Sequence, residues 1–175
     1  YLANYRRAGI ERLVAYDDRK APTHLAAEIL DLLAQQRSSL DRVPEFRHYL
    51  LQYPRVLLPR TEDFFYWSKE AFGFRPVVGL NHVSLHTTDR GEVTIVTTQI
   101  YASHYMDGQV GVNTLVPVAG GPGAPAFYWL HFNRARIDNL EGFLATLARP
   151  IIQRRARSGL ARSMTDSKHR MEAAR

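Results

Sequence analysis

Residues 77–132 read VVGLNHVSLHTTDRGEVTIVTTQIYASHYMDGQVGVNTLVPVAGGPGAPAFYWLHF, and the alternation in that stretch decides the fold. Apolar and polar side chains follow one another with a period of two, and β-branched residues dominate. Turn residues cut the stretch into four runs. Strands are expected at Val77–Thr87, Val93–Tyr105, Gln109–Val118 and Ala126–Phe132. Asp89-Arg90-Gly91 is the first turn. Asp107-Gly108 has the composition of a type I′ hairpin turn, whose two central residues need positive φ. Gly120-Gly121-Pro122-Gly123 is a loop and not a phosphate cradle, because no Lys-Ser/Thr follows it.

Beyond the strands the period changes. A final helix is expected from Asp138, with Leu140, Phe143, Leu144, Leu147 and Ile151 on one stripe. Pro150 is expected to kink it, because the ring blocks the preceding turn. Ile152, Ala156, Leu160 and Met164 continue the stripe, and Gly159 weakens it.

Upstream of Val77 the sequence reads as helices. The expected spans are 2–15, ending near 16–18; 23–36, entered through Pro22, with Leu25, Ile29, Leu32 and Leu33 on one face; and about ten residues after Asp41, with Pro44 in the first turn. Thr61 reads as an N-cap with Glu62 and Asp63 behind it, so a fourth helix is expected to carry Phe64–Trp67 and Phe72 and to end at Gly73. Its load of rings makes Trp67 an expected core residue. The predicted class is therefore α+β. One domain over 1–175 comprises a helical layer (1–75), a four-stranded antiparallel meander (77–132) and a long kinked C-terminal helix (138–173) with a basic tail. Tyr1 already sits in a helical pattern, so the chain is expected to be part of a longer precursor.

Composition narrows function more by exclusion. The 45% hydrophobic and 23% charged content is that of an ordinary globular domain, and no apolar run is long enough to span a bilayer. Cysteine is absent, which removes disulfides, thiolate metal sites and cysteine nucleophiles. The net charge of +6 lies entirely in residues 149–175, which hold 8 Lys+Arg against 2 Asp+Glu. Arg154, Arg155, Arg157 and Arg162 thus offer a solvated face, or a contact with an anionic membrane surface or a protein partner. Nucleic acid is disfavoured, since the tail lacks interleaved aromatics and the remainder is neutral.

Two-residue turns would place Leu85 opposite Val96, and Tyr101 opposite Thr114. One face then collects Val83, Leu85, Val96, Ile100, Ala102 and Leu115. The other collects His82, Ser84, His86, Thr97, Gln99, Tyr101, Ser103 and Val112. The second face is either solvated or the polar lining of a pocket beneath the N-terminal helices. A slip of one residue would flip a strand. On a strand His82 and His86 stand about 13 Å apart, too far to share a metal. Ser103 and His104 point to opposite sides and form no dyad. In Asn133–Asp138, Arg134 and Arg136 either pair with Asp138 or Glu141 near the start of the final helix or hold an anionic headgroup at the pocket mouth.

The stretches FFYWSKEAFGFRPVVGLNHVSLHTT (64–88), QIYASHYMDG (99–108) and YWLHFNRARIDNLEGF (128–143) resemble the C-terminal part of a family of uncharacterised bacterial proteins, many with export signals. The meander with a long last helix is also similar to the second half of START-type helix-grip lipid-binding domains. The first resemblance implies a periplasmic or secreted location and no catalytic residues; the second implies an apolar ligand. The leading expectation is non-catalytic binding or carriage of an apolar or amphipathic, lipid-like molecule between sheet and helices. Its contacts would be His82, Ser84, Gln99, Tyr101, Trp67 and Arg136. No motif requires a cofactor, and no metal ligand or catalytic residue is assigned. The alternatives are an accessory subunit docking through the basic helix, and a polyketide-cyclase-type enzyme with His82 or Tyr101 as acid–base groups.

Overall fold

A computed structural model of the chain describes residues 1–13, 15, 22, 24–72, 75–103, 106–118, 126–137 and 143–173. It is α+β: N-terminal helices, an antiparallel sheet and a C-terminal helix. The helices are α1 (Leu2–Ala8), followed by a 3-10 turn (Ile10–Arg12), α2 (Leu25–Gln35), α3 (Arg37–Leu40) and α4 (Pro44–Gln52). The strands are β1 (Thr61–Phe72), β2 (Arg75–Thr87), β3 (Val93–Ala102), β4 (Met106–Val118) and β5 (Ala126–Ile137). They form one meander in the order β1-β2-β3-β4-β5. The chain divides into two compact units, Tyr1–Ile137 and Asp138–Arg175. The second contains α5 (Phe143–Ala173), a helix assigned without a break through Pro150. No helix among the described residues is long and apolar enough to cross a membrane.

The sheet has five strands, not four, because residues 61–72 pair along their length with β2, from Thr61 opposite His86 to Phe72 opposite Arg75. The Thr-Glu-Asp capping signal is overridden. Four successive aromatics at 64–67 lose rotamer freedom in a helix and suit a pleated surface. Trp67 is accordingly 61% exposed rather than core. The first helix is shorter than expected because Gly9, at φ 72, turns the chain. A Cβ on Gly9 would stand 1.9 Å from the Tyr53 carbonyl oxygen, so only glycine lets the two backbones approach.

The β2–β3 hairpin corrects the predicted faces. Thr88 N–H donates to Glu92 O (2.9 Å) and Gly91 N–H to Thr88 O (3.0 Å), with Gly91 at φ 75. The loop is therefore Asp89-Arg90-Gly91, three residues with glycine in the left-handed position. Ser84 consequently faces Val96, and His82 faces Thr98. This shift of one residue joins His82, Ser84 and His86 to Val96 on the helix-covered face, and sends Thr97 and Gln99 to the other. A bulge between Leu80 and Asn81 and their β3 partners then sets Tyr101 opposite Leu80.

Asp107-Gly108 is not a hairpin tip. Both residues lie inside β4, and Thr114 pairs with Thr94 rather than Tyr101. A register shift between Met106 and Gly108 bulges Asp107 out of the β4–β5 ladder. A Cβ on Gly108 would meet Leu25 Cδ1 and Leu32 Cδ1 at 3.4 Å, an ordinary van der Waals contact, so this glycine lies directly beneath α2 where it crosses the sheet. At the far side β5 runs on to Ile137, making strand of the residues 133–137 expected to lead into the last helix.

The core lies between the helices and the inner face of the sheet. Ile29, Leu32, Leu33, Leu40, Val43, Phe46 and Leu50 pack over Leu80, Val96, Ile100, Val110 and Val112. The expectations for 16–18, Gly73, His104, Tyr105, 120–123, Asp138, Leu140 and Glu141 lie outside the described residues. So do those for the side chains of 143–153, Arg155 and Ala156.

Candidate functional site

β1 and β2 put Asp63, His82 and Ser84 side by side on the inner face, since Asp63 is opposite Ser84 and Phe65 opposite His82. His82 is 3% exposed. Its Nε2 lies 2.8 Å from Asp63 Oδ1, and its Nδ1 lies 2.8 Å from the Tyr5 hydroxyl. Ser84 donates to Asp63 Oδ1 at 2.6 Å, and the Tyr49 hydroxyl donates to Asp63 Oδ2. The neutral tautomer consistent with these contacts has Nε2–H donating to the carboxylate while Nδ1 accepts from Tyr5. Burial alone would raise the Asp63 carboxyl; the hydrogen bonds from His82, Ser84 and Tyr49 outweigh it and hold it below its usual range. Burial, reinforced by neighbouring hydroxyls and Asp63, pushes the Tyr5 phenol up.

This network ties α1, α4, β1 and β2 together. Its hydrogen-bonding capacity is spent internally: the Ser84 proton goes to a carboxylate, and both His82 nitrogens are engaged. Rings close it off, with Phe65 stacked at 4.6 Å and Tyr53 tilted at 4.5 Å from the imidazole. His82 and Ser84 are thus brought together as expected, but under packed aromatics rather than facing an open ligand space.

Trp67 and Tyr101 are also brought together, at a second place on the same face. Their rings meet edge to face at 6.1 Å, and Tyr1 meets Tyr101 the same way at 6.0 Å. Trp67 and Tyr1 are exposed and Tyr101 is half-buried. Phe65, two residues from Trp67 on β1, carries the Arg6 guanidinium 5.8 Å above its ring. Among the described residues Arg6 makes no ion pair. The result is an open aromatic strip, Tyr1–Tyr101–Trp67–Phe65, that ends on a cation.

No family model, curated protein or solved structure matches the chain.

The other predicted contacts scatter. Gln99 is buried on the opposite face beside Gly79, whose missing Cβ leaves room for the Gln99 amide. Asn81 there donates to Ser68 Oγ at 3.2 Å. Arg136 sits on β5 and pairs with Glu28 at 2.9 Å and with Asp31, both on α2. Arg154, Arg157 and Arg162 are exposed along α5. An open cleft of about 790 Å³ lies where α4, residues 58–60 and the β2–β3 hairpin meet. Its charges largely cancel: Arg42, Arg60 and Arg90 stand against Glu45, Asp89 and Glu92, with Arg42 on Glu92 (3.2 Å) and Arg60 on Asp89, while Glu45 lies 4.0 Å from His86 Nε2. Sequence reasoning missed Tyr5, Arg6, Tyr49, Tyr53 and Asp63. The four aromatics at 64–67, read as a strand, would have placed Asp63 beside His82 and Ser84. Nothing in the sequence pointed to the residues of α1 and α4.

Proposed function

We propose that the protein is a non-catalytic binding module for an amphipathic small molecule of lipid type, and that Tyr1, Tyr101, Trp67 and Phe65 form the apolar floor of its site. Arg6 takes the anionic end of the ligand, the role the sequence suggested for Arg136. The observation that carries this reading is the exposed Trp67 ring, packed edge to face on Tyr101 and two residues along β1 from Phe65, over whose ring lies the Arg6 guanidinium, which makes no ion pair among the described residues. Exposed aromatics beside one placed charge suit a ligand with an apolar body and a charged head. The likeness to helix-grip lipid-binding domains, with a kinked final helix, belongs to this proposal. It rests on the order of helices, antiparallel meander and final helix. A location outside the cytoplasm follows from the family resemblance alone.

Titration with dodecanoate, read by tryptophan fluorescence, tests the reading, with dodecylamine as the oppositely charged control. Dodecanoate is expected to bind and the amine to bind less tightly. Arg6→Gln is expected to weaken dodecanoate about tenfold, as the loss of one charge-assisted contact implies. Trp67→Ala is expected to abolish binding, followed by calorimetry, while shifting stability by less than about 1 kcal/mol, because the ring is largely solvated. Equal affinity in wild type and both variants would remove the site.

A second reading is favoured by α5. Residues 157–173 are exposed almost throughout, and Arg157, Arg162, Lys168 and Arg170 are distributed around the helix rather than opposite one apolar face. Such a helix suits an accessory subunit that docks on an anionic surface or an acidic partner. Truncation after Arg162 is expected to leave the fold of Tyr1–Ile137 intact, by circular dichroism and melting temperature. Co-sedimentation with phosphatidylserine vesicles should fall and lose its salt dependence. Unchanged co-sedimentation would exclude α5 as the docking element.

A further inference from the structure

Three arginines, three carboxylates and one histidine line the open cleft between α4, residues 58–60 and the β2–β3 hairpin. Two of the charge pairs close on themselves. Arg42 donates to Glu92 through two nitrogens, at 3.3 and 3.2 Å, and Arg60 binds Asp89. One anion and one cation are left over. Glu45 has no basic partner nearer than His86 Nε2 at 4.0 Å, and Arg90, exposed on the hairpin, makes no ion pair among the described residues. His86 makes this remainder a built site. Its imidazole is 5% exposed, stacks on Phe46 at 5.2 Å and sets Nδ1 3.0 Å from Thr61 Oγ1. Nε2 has no hydrogen bond, since 4.0 Å lies beyond bonding range. Buried polar atoms are almost always hydrogen-bonded, so a ring nitrogen left open at a cleft wall marks a place for a ligand group. The backbone is committed here as well. Among the described residues Arg60 is the one non-glycine residue at positive φ (56°), and Thr87 N–H donates to its carbonyl at 3.0 Å. Such strained backbone collects at binding sites.

We infer that this cleft binds a free amino acid with an aliphatic side chain, its ammonium held between Glu45 and His86 and its carboxylate on Arg90. A nitrogen about 2.8 Å from both Glu45 Oε1 and His86 Nε2 spans the 4.0 Å gap between them. With Nδ1–H donating to Thr61, Nε2 keeps a lone pair for one ammonium hydrogen, and the Glu45 carboxylate accepts another. Arg90 meets the ligand carboxylate with its planar fork of donors. A purely anionic ligand would leave Glu45 unanswered, and a purely cationic one Arg90. The two leftover charges therefore select a ligand that bears both. Leu58 and Pro59 supply the apolar part of the wall, which suits an aliphatic side chain. The site is separate from the aromatic strip, because His86 lies about 20 Å along β2 from Leu80, the partner of Trp67.

Three probes of nearly one shape separate the two charges: L-leucine, L-leucinamide, which lacks the carboxylate, and N-acetyl-L-leucine, which lacks the ammonium. Binding is read from amide chemical shifts of the isotope-labelled full chain. Leucine should shift the Thr87 and Thr88 amides, and each control should bind about tenfold more weakly, as the loss of one charge-assisted contact implies. Glu45→Gln should weaken leucine and leucinamide and leave N-acetylleucine unchanged. Arg90→Gln should weaken leucine and N-acetylleucine and leave leucinamide unchanged. Both side chains are exposed, so both variants should keep the wild-type circular dichroism and melting temperature. No shift with leucine, equal affinity for the three probes, or variants that weaken all three alike would each overturn the proposal.

Discussion

Asp63→Ala should destabilise the protein by about 3 kcal/mol or more, measured by denaturant unfolding, since it leaves buried partners without their acceptor. The carboxylate receives His82, Ser84 and Tyr49, and through His82 it also fastens Tyr5 of α1. Truncation to alanine leaves His82 Nε2–H and the Ser84 hydroxyl buried with their donors unmet. The pH dependence has a definite sign. The folded-state carboxyl is held below its ordinary value by those hydrogen bonds against the cost of burial. Its contribution is therefore complete above the unfolded value of about 4 and is lost as the pH falls through the lower folded value. Asp63→Asn should flatten the stability profile in that acid range. A profile unchanged by Asp63→Asn would mean that the network does not couple to folding.

Phe46→Ala is expected to cost about 3–5 kcal/mol, as for other large rings removed from a filled core. Phe46 has no exposed surface. Its ring stacks 5.2 Å from the His86 imidazole and 6.1 Å from Tyr49, so it joins α4 to β2 and supports the residue that closes Asp63 from above. Thermal unfolding should show a lower midpoint and reduced cooperativity. Phe46→Leu should recover more than half of the loss, because much of the volume is restored. A cost below about 1 kcal/mol would mean that α4 is not part of the cooperative core.

The period of two across 77–132 and the helical stripe Leu25–Leu33 were legible in the chain, and with them the α+β class and the helix-then-sheet order. Those signals are local: each residue type reports whether its neighbours two or four positions away share its environment. Register was not legible. It turned on one residue in the Asp89-Arg90-Gly91 loop and on the bulges at Ile100 and Asp107. Gly108 lies within a strand beneath α2 rather than in a turn, and no neighbour in sequence announces that. The strand at 61–72 was hidden for a similar reason. A capping motif of three residues suggested a helix, and only the full ladder to β2 makes strand the cheaper state for four rings in succession. The candidate site followed register. His82 and Ser84 stood out as a polar pair on one face, but their acceptor, the phenols that enclose them and the cation beside Phe65 come from α1, α4 and β1. Long-range packing brings those residues together, and sequence periodicity carries no record of it.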